Sequence, residues 1–120
     1  NQKLYKEAIE VLYKVLSDDV DEKTTVEVIS SIADLHFLLK NYERASEQYE
    51  KVLEIDKNHE HSQNKLYEIH FLLKEYNKAL NLIQKICEHS KKPLDFVKYF
   101  SVLLKLGRAN EILKIYEEIY

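Results

Sequence analysis

The chain has one glycine, one proline and one cysteine in 120 residues. An all-β protein needs many turns, several of them with positive φ, and one glycine cannot supply them. A nucleotide-dependent enzyme needs glycine-rich loops that bring backbone close to phosphate, and none can be built here. A lone Cys87 makes no disulfide within the chain and no cysteine-rich zinc site. It suits a reducing compartment such as the cytoplasm. No stretch approaches the roughly 20 apolar residues of a membrane span.

What remains is helix-forming. Hydrophobic residues make up 45% and charged residues 32%, enough for a core with a solvated surface. The net charge is −3, which is no footprint for nucleic acid. It conceals a gradient. Residues 1–60 hold eight basic and fourteen acidic residues, and residues 61–120 hold ten basic and seven acidic. Such a dipole can orient a charged partner at low salt, but it reads as ordinary variation in a solvated surface. The chain begins at Asn1 with neither a basic nor an apolar leader, which reads as a fragment of a longer protein.

The strongest signal is an internal repeat. His36-Phe37-Leu38-Leu39-Lys40 returns as His70-Phe71-Leu72-Leu73-Lys74, a shift of 34 residues. At the same shift Tyr42 matches Tyr76, Ala45 matches Ala79, Lys51 matches Lys85 and Glu54 matches Glu88. Ile29, Ile32, Ala33, His36 and Phe37 lie on one helical face. After Lys40-Asn41 a second face follows: Tyr42, Ala45, Tyr49, Val52 and Leu53. Each unit is therefore a helix, a short turn and a second helix.

This pattern resembles the tetratricopeptide repeat. The family places large, leucine, small and aromatic residues at repeat positions 4, 7, 8 and 11. Its second helix carries Tyr, Ala, an aromatic, Ala and Pro at positions 17, 20, 24, 27 and 32. In residues 26–59 these are Ile29, Ile32, Ala33, His36, Tyr42, Ala45, Tyr49, Val52 and Lys57. In residues 60–92 they are Gln63, Leu66, Tyr67, His70, Tyr76, Ala79, Ile83, Ile86 and Lys91. Gln63 and Tyr67 depart from the pattern, so the helix contact there should be wider or repacked. Neither repeat has the proline at position 32, so the second helix should run on smoothly towards the next. Residues 93–120 read as a divergent third copy, with Phe96, Tyr99, Phe100 and Leu103 on its first helix and Ile112, Tyr116 and Ile119 on its second. Pro93 sits at its start and Gly107 at its turn. Residues 1–22 read as a lone second helix, with an apolar face of Tyr5, Ile9, Leu12, Tyr13 and Leu16. Thr24-Thr25-Val26-Glu27 offers a capping box for the helix that follows.

The fold implied is all-α: a right-handed superhelical solenoid of about seven helices, half a repeat plus three. Its expected core comprises Ile29, Ile32, Phe37, Tyr42, Ala45, Tyr49, Val52, Leu66, Phe71, Tyr76, Ala79, Ile83 and Ile86. Nothing polar caps Leu12's helix or the end at Ile119-Tyr120, so self-association through uncapped ends is an expected consequence.

No catalytic set is legible. His36 and His70 share a position where an aromatic is expected, and packed histidines explain them better than metal ligands. His59-Glu60-His61 lacks the second histidine at i+4 that a zinc protease helix requires, since position 63 is Gln63. Cys87 lies in an apolar stripe and reads as an inert thiol. Asp18-Asp19 and Asp21-Glu22 suit a turn and a helix start. No enzyme activity, cofactor or metal is expected.

In proteins this chain resembles, the first helix of each repeat lines a groove that takes an extended peptide or a helix of a partner. The corresponding residues are Glu27, Ser30, Ser31, Asp34 and Leu38, then His61, Asn64, Lys65, Glu68 and Leu72, then Leu94, Val97, Lys98, Ser101 and Lys105. One subclass grips the acidic tails of heat-shock chaperones with Lys and Asn at positions 5 and 9. Here those positions hold Ser30 and Asp34, Asn64 and Glu68, Val97 and Ser101, so no such clamp is expected. A groove ligand should be basic near Asp34 and acidic or apolar near Lys98. The expected partner is a protein or peptide, with no nucleic acid and no membrane. A spacer or self-association module is the alternative, and a helical-repeat RNA binder a weaker one, because most of the nine tyrosines lie at core spacing.

Overall fold

The computed structural model describes residues 1–16 and 19–119, the side chain of residue 119 excepted. Among the described residues there are seven helices and no strand. They are α1 (Gln2–Leu16), α2 (Glu22–Leu38), α3 (Tyr42–Ile55), α4 (Glu60–Leu72), α5 (Tyr76–His89), α6 (Pro93–Lys105) and α7 (Ala109–Ile119). The all-α helical repeat expected from the sequence is what forms. The chain divides into two compact units, Asn1–Leu66 and Tyr67–Tyr120, with the division inside α4.

Three turns are built alike. Lys40, Lys74 and Gly107 take positive φ values of 61°, 60° and 71°. After α2, the Lys40 N–H donates to the Phe37 carbonyl and the Asn41 N–H to the His36 carbonyl, both at 2.9 Å. After α4, Lys74 and Glu75 repeat these bonds to Phe71 (3.1 Å) and His70 (2.8 Å). After α6, Gly107 and Arg108 repeat them to Leu104 (3.1 Å) and Leu103 (2.8 Å). Each is a Schellman motif, in which one left-handed residue satisfies two orphan carbonyls. The next residue then opens the following helix: the Asn41 carbonyl accepts from Ala45 N–H and the Glu75 carbonyl from Ala79 N–H, both at 3.0 Å. The aromatic pair across the turn is also preserved. Phe37 meets Tyr42 edge-on at 5.5 Å and 69°, and Phe71 meets Tyr76 at 5.4 Å and 72°.

In the first unit Ile9, Val28 and Ile32 are buried together, with Leu12, Val15, Leu16, Leu35 and Leu39 against them. Ala45, Tyr49 and Val52 of α3 are completely buried. In the second unit Tyr67, Ala79, Leu80, Ile83, Val102 and Leu103 form the core. Ala45 and Ala79 are small enough to let neighbouring helices approach closely. Of the expected core, Phe37, Tyr42, Phe71, Tyr76 and Ile86 are half-buried rather than buried.

Several local expectations change. Tyr13 is exposed, because α1 turns Ile9, Leu12 and Leu16 inward and residue 13 falls off that stripe. The helix after residue 21 starts before the Thr24 box. Asp21 caps it, its Oδ1 accepting from Thr24 N–H at 2.7 Å. Hydrogen bonding from Thr24, its side chain first and its backbone N–H second, lowers the Asp21 carboxyl from its ordinary value. Asp18 and Tyr120 lie outside the described residues. The second helices do not run on, despite lacking proline. Asp56 breaks the first, its carboxylate accepting from Asn58 N–H at 3.3 Å and its carbonyl from His59 N–H at 3.1 Å. Ser90 breaks the second, bonding Asp95 through its hydroxyl and accepting from Lys92 N–H at 3.1 Å. Pro93 occupies the first turn of α6 as expected. Tyr116, placed on the inward face of α7 by the sequence pattern, is exposed, and Ile112 and Ile115 pack inward instead.

The left-handed turns yield a test. A lysine at positive φ costs roughly 1–2 kcal/mol relative to the favoured backbone, which glycine avoids at an entropic cost of its own. Lys74→Gly should stabilise the chain by about 0.5 kcal/mol, and Gly107→Ala should destabilise it by about 1 kcal/mol. Urea denaturation midpoints at constant slope check both.

Candidate functional site

The residues expected to face a partner belong to α2, α4 and α6, and the structure sorts them. Glu27 and Ser31 are exposed on α2, while Ser30 is buried. Ser30 therefore contributes packing and not a contact surface, a correction to the sequence reading. It sits two residues after Val28 and one after Ile29, on the side of α2 that the core covers.

Asp34 is the junction of the first unit. Its Oδ1 accepts a hydrogen bond from the hydroxyl of the fully buried Tyr49 on α3. The same oxygen lies 2.8 Å from Nε2 of His61 on α4. The Tyr49 and His61 rings meet edge-on at 6.2 Å. Three helices are thus tied through one carboxylate. Asp34 is spent inside the structure, so it is a weaker attraction for a basic ligand than its sequence position suggests.

Lys65, one turn along α4, sets its Nζ 4.4 Å from the centre of the Phe37 ring of α2. Asn64 lies beside it, half-buried. The lysine at the same repeat position in the second unit also reaches a ring, though one at a different repeat position. Lys98 of α6 approaches the Tyr67 ring at 5.7 Å. Glu68 and Val97 are exposed, and the Ser101 hydroxyl donates to the Val97 carbonyl at 2.8 Å. Of the expected groove residues, Asp34 and His61 meet directly, while Lys65 and Lys98 each reach a ring on the preceding first helix, Phe37 and Tyr67.

The two departures from the repeat pattern are resolved locally. Gln63 folds back, its Nε2 donating to the Lys57 carbonyl at 2.9 Å. Tyr67 is buried, and its hydroxyl donates to the Lys98 carbonyl at 2.9 Å. Burial pushes its phenol up to about 12. The expected repacking thus takes the form of an extra bond from α4 to α6.

The histidines do structural work. His59 accepts from Ser62 N–H at 3.3 Å, as a helix-capping side chain does. His70 Nδ1 lies 3.0 Å from Glu75 Oε1, and that bond holds the Glu75 carboxyl below the usual range. His36 is buried like its counterpart, but its Nδ1 has no partner. The residue at the matching turn position is Asn41 instead of a glutamate. Burial first, then the charge of Arg44, depresses the His36 imidazole below its ordinary value of 6.5. Among the described residues no group of three His, Cys, Asp or Glu side chains could hold a metal. Cys87 is half-buried; burial, then nearby Asp95, raises its thiol to about 11, which keeps it protonated at neutral pH. No described helix is long and apolar enough to cross a membrane.

Residues 26–59, covering α2 from its second turn, α3 and the turn to α4, match the family described as the tetratricopeptide repeat. That stretch has the length and pattern of one tetratricopeptide repeat. No curated protein matches the chain. Tetratricopeptide repeats generally mediate protein–protein interactions.

Two outcomes test the geometry. Asp34→Ala leaves the Tyr49 hydroxyl without its carboxylate and should cost about 1–3 kcal/mol, with Asp34→Asn milder because the amide oxygen still accepts; thermal and urea unfolding report it. For His36, the unfolded chain takes up a proton as pH falls past 6.5 while the folded chain resists. The stability is therefore present above 6.5 and is lost as pH falls from there towards the lower folded value. His36→Phe should flatten the stability profile below about pH 6.5.

Proposed function

We propose that this chain is a protein-interaction scaffold whose α2, α4 and α6 present the binding surface for an extended peptide or a helix of a partner. The observation that carries the reading is the pairing just described. Neighbouring first helices touch through Asp34 and His61, Phe37 and Lys65, and Tyr67 and Lys98, which sets their exposed neighbours side by side within each unit. In the first unit the strip comprises Glu27, Ser31, His61 and Asn64, with Asp34 and Lys65 supporting it. In the second it comprises Glu68, Val97, Lys98 and Ser101. In this reading residues 60–92 and 93–120 are further tetratricopeptide-like repeats and residues 1–22 the second helix of a truncated one. The threefold turn geometry supports that division. The surface offers neutral and mixed-charge polar groups with no perturbed nucleophile, as suits recognition rather than reaction.

A second reading rests on the ends of the array. Leu4 and Val11 of α1 and Leu113 of α7 are more than half exposed. Apolar faces of that kind favour stacking on another copy or a neighbouring segment, which would make the chain a spacer.

A library of random peptides displayed on phage and panned on the chain tests the first reading. Selected peptides should lose about tenfold or more in affinity for the double variant Ser31→Lys, Asn64→Lys, at unchanged melting temperature. Unchanged affinity would place recognition elsewhere. A mass that rises with concentration and falls back in Leu4→Glu would favour the second reading.

A further inference from the structure

The second unit holds a groove that shares only Val97 with the proposed binding strip. Pro93, Phe96, Val97 and Phe100 of α6 line it, with Tyr116 of α7 across from them and Ser90 and Lys91 at its mouth. It encloses about 520 Å³, within the range of sites that take small molecules or a few side chains. Phe96 and Phe100 are spaced one helical turn apart, with ring centres 6.5 Å from each other, and form one wall. Val97 and Tyr116 remain 56% and 55% exposed, and the adjacent Leu94 62%. An apolar patch of this extent invites a partner.

The charge at the groove says which kind. Lys91 is the charged residue that lines it, Lys92 adjoins it, and no carboxylate is among the lining residues. Of the acids that flank the lining residues in sequence, Asp95 is buried and bonded to the Ser90 hydroxyl, and Glu88 and Glu117 are exposed but are not among the residues that line the groove. Elsewhere in the unit, Glu75 is engaged by His70 and Lys78, and Glu111 by Arg108. We propose that this groove takes an amphipathic segment of a partner protein that inserts two or three apolar side chains against Phe96, Phe100 and Tyr116 and carries acidic residues opposite Lys91. The proposal rests on the protein-binding reading above but assigns a different surface. Only Val97 belongs to both.

The test uses a fluorescein-labelled helical peptide of about 14 residues with leucine and phenylalanine at i, i+4 and i+7 and three glutamates beside them. A copy carrying lysines in place of the glutamates is the comparison. Fluorescence anisotropy should show the acidic peptide binding about tenfold more tightly than the basic one at low salt. Lys91→Glu should erase that preference, and Tyr116→Ser should weaken both peptides about tenfold, with melting temperature reporting that each variant folds. Ser31→Lys with Asn64→Lys should leave the acidic peptide's affinity unchanged. Equal affinity for the two peptides overturns the proposal. So does binding lost in the Ser31/Asn64 variant but kept in Lys91→Glu and Tyr116→Ser, an outcome that leaves the strip standing. Concentration-dependent mass that Tyr116→Ser abolishes would show a second copy filling the groove and would also overturn it.

Discussion

Everything in this architecture depends on reversing a helix in one residue. At residues 40, 74 and 107 the chain swings into a left-handed conformation and satisfies two carbonyls that would otherwise face outward unpaired. The residue after it then starts the next helix with almost no linker. This brings the aromatic at the end of one helix against the tyrosine that begins the next, and it lets Ala45 and Ala79 sit at the closest approach. A longer or differently shaped connection would separate these contacts, and the repeat would lose the register on which its surface positions rely.

The copies share this frame but finish it differently. After the second turn a glutamate meets the buried histidine; after the first, an asparagine stands in the same place and the histidine nitrogen goes without a partner. A tyrosine fills the small-residue position in α4 and finds a carbonyl on α6 for its hydroxyl. Asp34, which pattern alone marks as a groove residue, becomes a tie between α2, α3 and α4. Divergence of this sort alters stability and binding surface separately, because each substitution is absorbed within a few ångströms.

Most of the fold was legible because helical periodicity and a 34-residue recurrence are carried by many side chains at once. Ala45, Tyr49, Val52, Ala79 and Ile83 are buried as their spacing required. Where the reading fell short, it assumed that each helix has one buried stripe. Val28 and Leu35 pack on α1 as well as serving α2, so two sides of that helix are covered. Ser30 is buried for the same reason. Helix ends were misread where a side chain caps without a familiar motif, as Asp21 and Asp56 do. The Asp34–Tyr49–His61 junction spans 27 residues of sequence and leaves no local trace. The groove on α6 was half visible: Phe96 and Phe100 were recognised as helix positions, but their partial exposure follows from the way α7 packs through Ile112 and Ile115.

The bond from Tyr67 to the Lys98 carbonyl has an evolutionary corollary. Its acceptor is main chain, so it survives any replacement of the side chain at residue 98 that keeps the helix. The chemistry offered at that site can therefore change without loosening the tie that Tyr67 makes to the main chain of α6.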